Sequence, residues 1–267
     1  MTAHAVTEPA AEPAVEPAVE PAAVPEVAPR KLSREARKSQ LIGATIETLA
    51  ARGYARTTLT EVARTAGLSH GLVNFHFETK EKLLSETLQV LAEEYQLNWQ
   101  AALQGAGPLP AAQLDALLRA DFSPQICTPA KLSAWCSFWG EAQSRPLYQD
   151  RCGSNDAHYN RTMEEICAGL IKEGGYPHDP VRTARVLRVA TEGVWLDLMT
   201  MSAPYARAEA LATVFVCAAA FFPRHFGPQG LLPQDRRGNS SVSVKSGYRF
   251  SRPTREKVTA VSRHLTV

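Results

Sequence analysis

Apolar residues recur every three to four positions over most of this chain, the spacing of helices with one buried face. From Arg34 to Arg52, residues Leu41, Ile42, Thr45, Ile46 and Leu49 fall on one such face, and Gly53 follows as a C-terminal stop. Thr58-Leu59-Thr60-Glu61 has the capping-box spacing, in which a hydroxyl and a carboxylate satisfy each other's free amides. Leu59, Val62, Ala63 and Ala66 continue it as a short amphipathic stripe, and Gly67 ends it. Ser69 caps a third helix that reaches about His76, and a longer helix runs from near Lys80 to about Leu103. Further on, Pro180 opens a helix over Val181 to Met201, and Ala203-Pro204 separates it from another over Ala206 to Phe222. Short alternating β-branched runs are scarce, so the pattern predicts an all-α fold.

The two ends break this pattern. Prolines stand at 9, 13, 17, 21, 25 and 29, with Glu before four of them. Proline excludes helix interiors, so residues 1–29 read as an extended, disordered Glu/Pro/Ala arm. Residues 228–267 are poor in large apolar side chains and rich in Arg, Ser and Gly, and read as a disordered basic tail. Two folded regions are expected between them, at 30–82 and 83–227.

Charge sharpens this division. The chain has 267 residues and a formal net charge of only +2. The arm carries −5, residues 30–80 carry +5, residues 81–227 carry −4 and the tail +6. Such sorting points to an anionic partner for the head. Other classes fall away. The apolar stretch Ala210 to Phe222 is too short to span a membrane, and the N-terminus lacks the features of a secretory signal. Five cysteines without a CxxC pair do not form a disulfide or zinc framework and fit a reducing cytoplasm. No membrane partner and no cofactor is expected.

Three helices within a short span, the last two joined by a tight glycine turn, form the helix-turn-helix pattern, whose second helix enters the DNA major groove. Its expected reading face holds His70, Leu72, Asn74, Phe75 and His76, with Gly71 permitting close approach. Asn pairs bidentately with adenine, and apolar groups meet the thymine methyl. Arg30, Lys31, Arg34, Arg37 and Lys38 are placed to neutralise phosphates. Thr58, Ser69 and Lys80 lie at helix N-termini, where free amides attract an anion.

The order Thr57-Thr58-Leu59-Thr60-Glu61-Val62-Ala63, then Ala66-Gly67-Leu68-Ser69-His70-Gly71, then Phe75-His76-Phe77-Glu78-Thr79-Lys80, resembles the DNA-binding half of TetR-type repressors. That family commonly has Tyr-x-His-Phe before the lysine; Asn74 replaces the tyrosine here. Downstream, Ala134-Trp135-Cys136-Ser137-Phe138-Trp139, Arg145-Pro146-Leu147-Tyr148 and Glu192-Gly193-Val194-Trp195-Leu196 resemble the BetI branch, regulators of choline and glycine betaine metabolism. The resemblance implies a DNA-binding repressor that is released from a double-stranded, palindromic operator by a small-molecule effector, such as choline. It also implies a ligand-binding and dimerisation domain and a homodimer formed through the last two helices. Leu187, Ala190, Val194 and Leu198, with Leu211, Val214, Phe215, Ala218 and Phe222, are the candidate partner positions.

Trp135, Phe138 and Trp139 stand at i, i+3 and i+4, on one helical face. With Tyr159 and Trp195 they are either packed core or an aromatic cage for a quaternary ammonium, and Tyr148 and Glu192 are further candidates. Gly67-Leu68-Ser69-His70-Gly71 also spells G-x-S-x-G, which would make Ser69 a hydrolase nucleophile, but that motif needs a preceding strand. The favoured reading is therefore not an enzyme, and Ser69 is a cap. His70 and His76 are six apart, the wrong spacing for a metal pair on one helix. A constitutive DNA binder without an effector is the remaining alternative.

Overall fold

The computed structural model describes residues 33–141 and 145–233. The arm, Arg30 and Lys31, and the tail from residue 234 onward lie outside the described residues.

Nine helices and one small hairpin make up the described chain: α1 Arg34–Arg56, α2 Leu59–Ala66, α3 His70–Phe77, α4 Lys80–Ala106, α5 Pro110–Asp121, α6 Pro129–Gly140, α7 Arg145–Gly174, α8 Pro180–Thr200, α9 Arg207–Phe221, β1 Phe226–Gly227 and β2 Gly230–Leu231. Capping chemistry sets most helix starts. Ser33, Thr58, Ser69, Thr79, Thr128 and Asp179 each accept a backbone N–H of the first turn. Gly53 has φ +74 and interrupts α1 where a stop was expected, although one more turn follows to Arg56. Gly67, at φ +67, closes α2 in the left-handed conformation and forms the tight turn of the helix-turn-helix.

The capping box at Thr58 forms only by half. The Glu61 amide donates to Thr58 Oγ1 at 3.2 Å. The Glu61 carboxylate turns instead to Arg64 and to Arg52, at 3.0 and 2.8 Å. Two guanidinium groups outcompete one neutral amide for a carboxylate.

Two hydrophobic cores organise the molecule. The first joins α1–α3 to the start of α4 and to α6, through Leu41, Leu49, Val62, Val73, Phe77, Leu84, Leu88, Ala134 and Phe138. The second gathers Trp99, Leu117, Tyr159, Leu187, Trp195, Val214, Phe215 and Phe222 from α4, α5 and α7–α9. The division expected between 82 and 83 therefore falls inside one continuous helix, whose first turns belong to the head's core.

The C-terminal side also differs from expectation. Residues 228–233 were read as part of the tail, yet Gly230 and Leu231 pair with Gly227 and Phe226. The Leu231 amide donates to Asp115 Oδ1 at 3.2 Å, and Phe226 packs on Phe215. Composition hid this because the anchor is a backbone amide on a distant carboxylate. Among the described residues, no helix is long and apolar enough to cross a membrane.

The last two helices invert the expected partner face. Leu187, Val194, Val214, Phe215, Ala218 and Phe222 are buried in the chain's own core. The large apolar side chains left exposed are Val181, Val186, Val189 and Leu196 on α8 and Val216 on α9. Both faces have helical spacing, and only packing decides which one the body covers.

Candidate functional site

Helix α3 presents a clear outer face. Val73 and Phe77 are fully buried and fix its rotation, which leaves His70, Gly71, Asn74 and Phe75 exposed. Leu72 and His76 are half-buried at the edges of that face. His70 Nδ1 lies 3.3 Å from the Thr60 hydroxyl, which ties the start of α3 to α2. The Arg34 guanidinium stands 5.9 Å from the Phe75 ring centre, so a cation of α1 borders the same face. Lys38 pairs with Glu86 of α4, and Arg37 donates to Gln40 at 2.6 Å.

Lys80 is engaged inside the protein. Its ammonium donates to the Tyr54 and Ala55 carbonyls, both at 3.0 Å, and sits 5.4 Å from the Tyr54 ring centre. It thus ties the C-terminal end of α1 to the first residue of α4, with one of its three donors left over.

Ser69 follows α2, a helix, and its Oγ accepts the Leu72 amide at 3.3 Å. The strand-to-helix elbow required of a nucleophile is not the context of this residue. Among the described residues, no group of His, Cys, Asp and Glu is arranged to hold a metal.

Below the head, α4–α8 line a partly open cavity of about 570 Å³. Trp135, Trp139, Tyr159 and Trp195 all line it, as do Tyr148 and Glu192. Phe138 does not. It is buried on another side of α6, edge-on to Tyr54 of α1 at 5.8 Å. Spacings of three and four placed it with the tryptophans, but α6 lies between the cavity and the head and is covered on both sides.

The aromatic rings form a continuous wall. Trp135 stacks on Trp139 at 6.0 Å, and Trp139 stacks on Trp195 at 6.4 Å with planes 6° apart. Tyr148 meets Trp135 edge-on at one end, and Tyr95 meets Trp195 at the other.

The polar residues of the cavity were mostly illegible in the sequence. Asp121, at the end of α5, is 1% exposed. It accepts the Tyr95 hydroxyl at 2.9 Å and the Tyr159 hydroxyl at 3.1 Å. Burial pushes its carboxyl up to about 7; the two tyrosine hydrogen bonds work against that rise, and the charge of Glu192 adds to it. Asp156 of α7 is also raised by burial, while its hydrogen bond from Tyr148 lowers it. The Trp139 indole donates in turn to the Tyr148 hydroxyl. Arg188 donates to Glu192 at 2.6 Å, and Asn160 and Thr191 complete the polar lining. Helical spacing gives a weak signal for part of this set: Arg188, Glu192 and Trp195 recur at i, i+4 and i+7.

The arrangement defines a DNA-binding transcriptional regulator: a helix-turn-helix head above an all-helical body with an aromatic-lined cavity. Residues 41–87 match the family of bacterial regulatory proteins named tetR, and residues 110–222 match the BetI-type transcriptional repressor C-terminal domain. The chain belongs to the TetR family, with a body of BetI type. The regulator BetI of Paraburkholderia xenovorans is 30% identical over 184 residues, covering 67% of this chain and 90% of the relative. A putative transcriptional regulator from Pseudomonas aeruginosa has the same fold, with a TM-score of 0.61, 24% identity, and coverage of 74% and 97% of the two chains. A putative regulator from Saccharomonospora viridis, solved in complex with choline, aligns with a TM-score of 0.55 at 17% identity, covering 68% and 94%.

Proposed function

We propose that this protein is a cytoplasmic, homodimeric repressor that leaves its operator when a small organic cation, of the quaternary ammonium class that includes choline, enters the cavity. The observation that carries this reading is the composition of the cavity. Three indoles line it, a residue type whose π system attracts a cation, and the buried carboxyl of Asp121 can supply the opposite charge. A neutral apolar ligand would leave that carboxylate desolvated and without a counter-charge.

Operator contact is assigned to the exposed face of α3, with Asn74 and Phe75 at its centre and His70, Gly71, Leu72 and His76 around them. Thr58 and Ser69 offer helix N-termini to phosphates. The exposed stripe of α8 and α9 supplies the dimer contact, which would present two α3 helices to a palindrome. Ligand acts by favouring a spacing of the two heads that fits DNA poorly, and it can shift that balance only by its differential affinity for the two arrangements.

Operator fragments selected from genomic DNA, with choline and betaine aldehyde titrated against the complex, test this. Tight binding of a palindromic fragment, weakened by a cation that binds the cavity, is expected. Cation binding that leaves operator affinity unchanged would favour a constitutive binder.

A further inference from the structure

Building on the cation-binding reading, we infer that the cavity takes a two-headed organic cation, with one positive end at Asp121 and the other at Asp156. Three carboxylates and one guanidinium line the cavity. The guanidinium of Arg188 is bound to Glu192, four residues along the same helix. The charge of Arg188 also lowers Asp156, though the two form no ion pair. Among the described residues, neither Asp121 nor Asp156 has an ion-pair partner. Two negative centres are therefore left to be matched by whatever binds.

Each centre is fitted in the same way. Asp121 is held by two phenols, Tyr95 and Tyr159. Asp156 is held by the phenol of Tyr148, which the Trp139 indole orients. Neutral donors fix a carboxyl group in place without supplying a counter-charge, so both ends remain sites for a cation. Asp156 and Tyr159 are three residues apart on α7, about 4.5 Å of helix axis, so the two ends lie at different heights along the cavity.

The wall of Trp135, Trp139 and Trp195, with ring centres stepping 6.0 and 6.4 Å, links Tyr148, the partner of Asp156, to Tyr95, a partner of Asp121. Flat apolar faces of that extent suit a methylene linker. The volume of about 570 Å³ also exceeds what one trimethylammonium head needs and matches a larger ligand. A single-headed cation would leave one desolvated carboxylate uncompensated, whereas two heads on one linker neutralise both.

The chemical class is thus an α,ω-diamine, a polyamine or a bis-quaternary ammonium. Calorimetry on the full chain would compare alkyltrimethylammonium ions with bis-trimethylammonium alkanes of equal length, from ethylene to decamethylene linkers, and with spermidine. The second head should tighten binding at least about tenfold at a best linker length, with one ligand per subunit. The gain with spermidine or with the bis-quaternary series tells which source is meant. In Asp156→Asn the ratio of two-headed to single-headed affinity should fall to near one; the wild-type series is decisive even if that variant folds poorly. Single-headed ions that bind as tightly as two-headed ones at every length would overturn this inference and leave the cation reading standing. Failure of every cation to bind would remove both.

Discussion

Asp121 carries the chemistry of the cavity at the scale of one residue. Burial raises its carboxyl from 3.8 to about 7, so the protonated form is favoured by the fold. Its contribution to stability is then fully present below its ordinary value and is lost as pH rises through about 7. Asp121→Asn should therefore unfold at a higher temperature than wild type on the alkaline side, with the difference vanishing in acid, as a thermal melt series would show. A cation prefers the ionised carboxylate. Its affinity should tighten as pH rises through about 7 and should become flat and weaker in Asp121→Asn. Nothing in the sequence marked this aspartate, because its partners Tyr95 and Tyr159 come from other helices and meet it only in the fold.

Two residues of the head separate positioning from reading. Lys80 holds two carbonyls of α1, so Lys80→Ala should cost about 1.5–3 kcal/mol of stability, as loss of a charged hydrogen-bonded group does. It should also weaken binding to all DNA sequences alike, and a sequence-selective loss in a binding-site survey would contradict a positioning role. Asn74 is exposed and free of packing duty. Asn74→Ala should relax preference at one base pair, with the loss of about 1–3 kcal/mol typical of a bidentate contact. Uniform weakening would make it a phosphate ligand instead.

At the scale of an element, α6 is the member that touches both working parts. Trp135 and Trp139 face the cavity, while Phe138 meets Tyr54 of α1, whose carbonyl holds Lys80 at the start of α4. If ligand entry shifts the tryptophans, that packed contact is the route by which the head would feel it. Phe138→Leu keeps most of the buried volume. It should preserve cation affinity and operator affinity measured separately, yet reduce the effect of one on the other. An unchanged coupling between the two titrations would assign transmission to α4 instead. The helical spacing of α6 was legible, but its two-sided burial was not, since periodicity shows which residues share a face and not how many neighbours a helix has.

At the scale of the whole molecule, the exposed stripe of α8 and α9 is the proposed dimer contact. Val189→Glu or Leu196→Lys should shift the protein to a monomer in sedimentation and abolish tight binding to a palindrome while leaving the fold intact. Substitution of Leu187, which is fully buried, should unfold the body instead.

The head was legible because its signals are local. Caps at Thr58 and Ser69, the turn at Gly67 and the stripe through Val62 and Ala63 act within a few residues, so short windows of sequence contain them. The body's helices were legible as helices for the same reason. Tertiary packing alone decided that Phe138 serves the head, that Leu187 and Val194 are core, and that residues 230 and 231 close a hairpin on Asp115. It alone gathered Asp121, Asp156, the tyrosines and three tryptophans around one cavity. Burial and charge compensation depend on which distant segments meet, and no window along the chain contains that information.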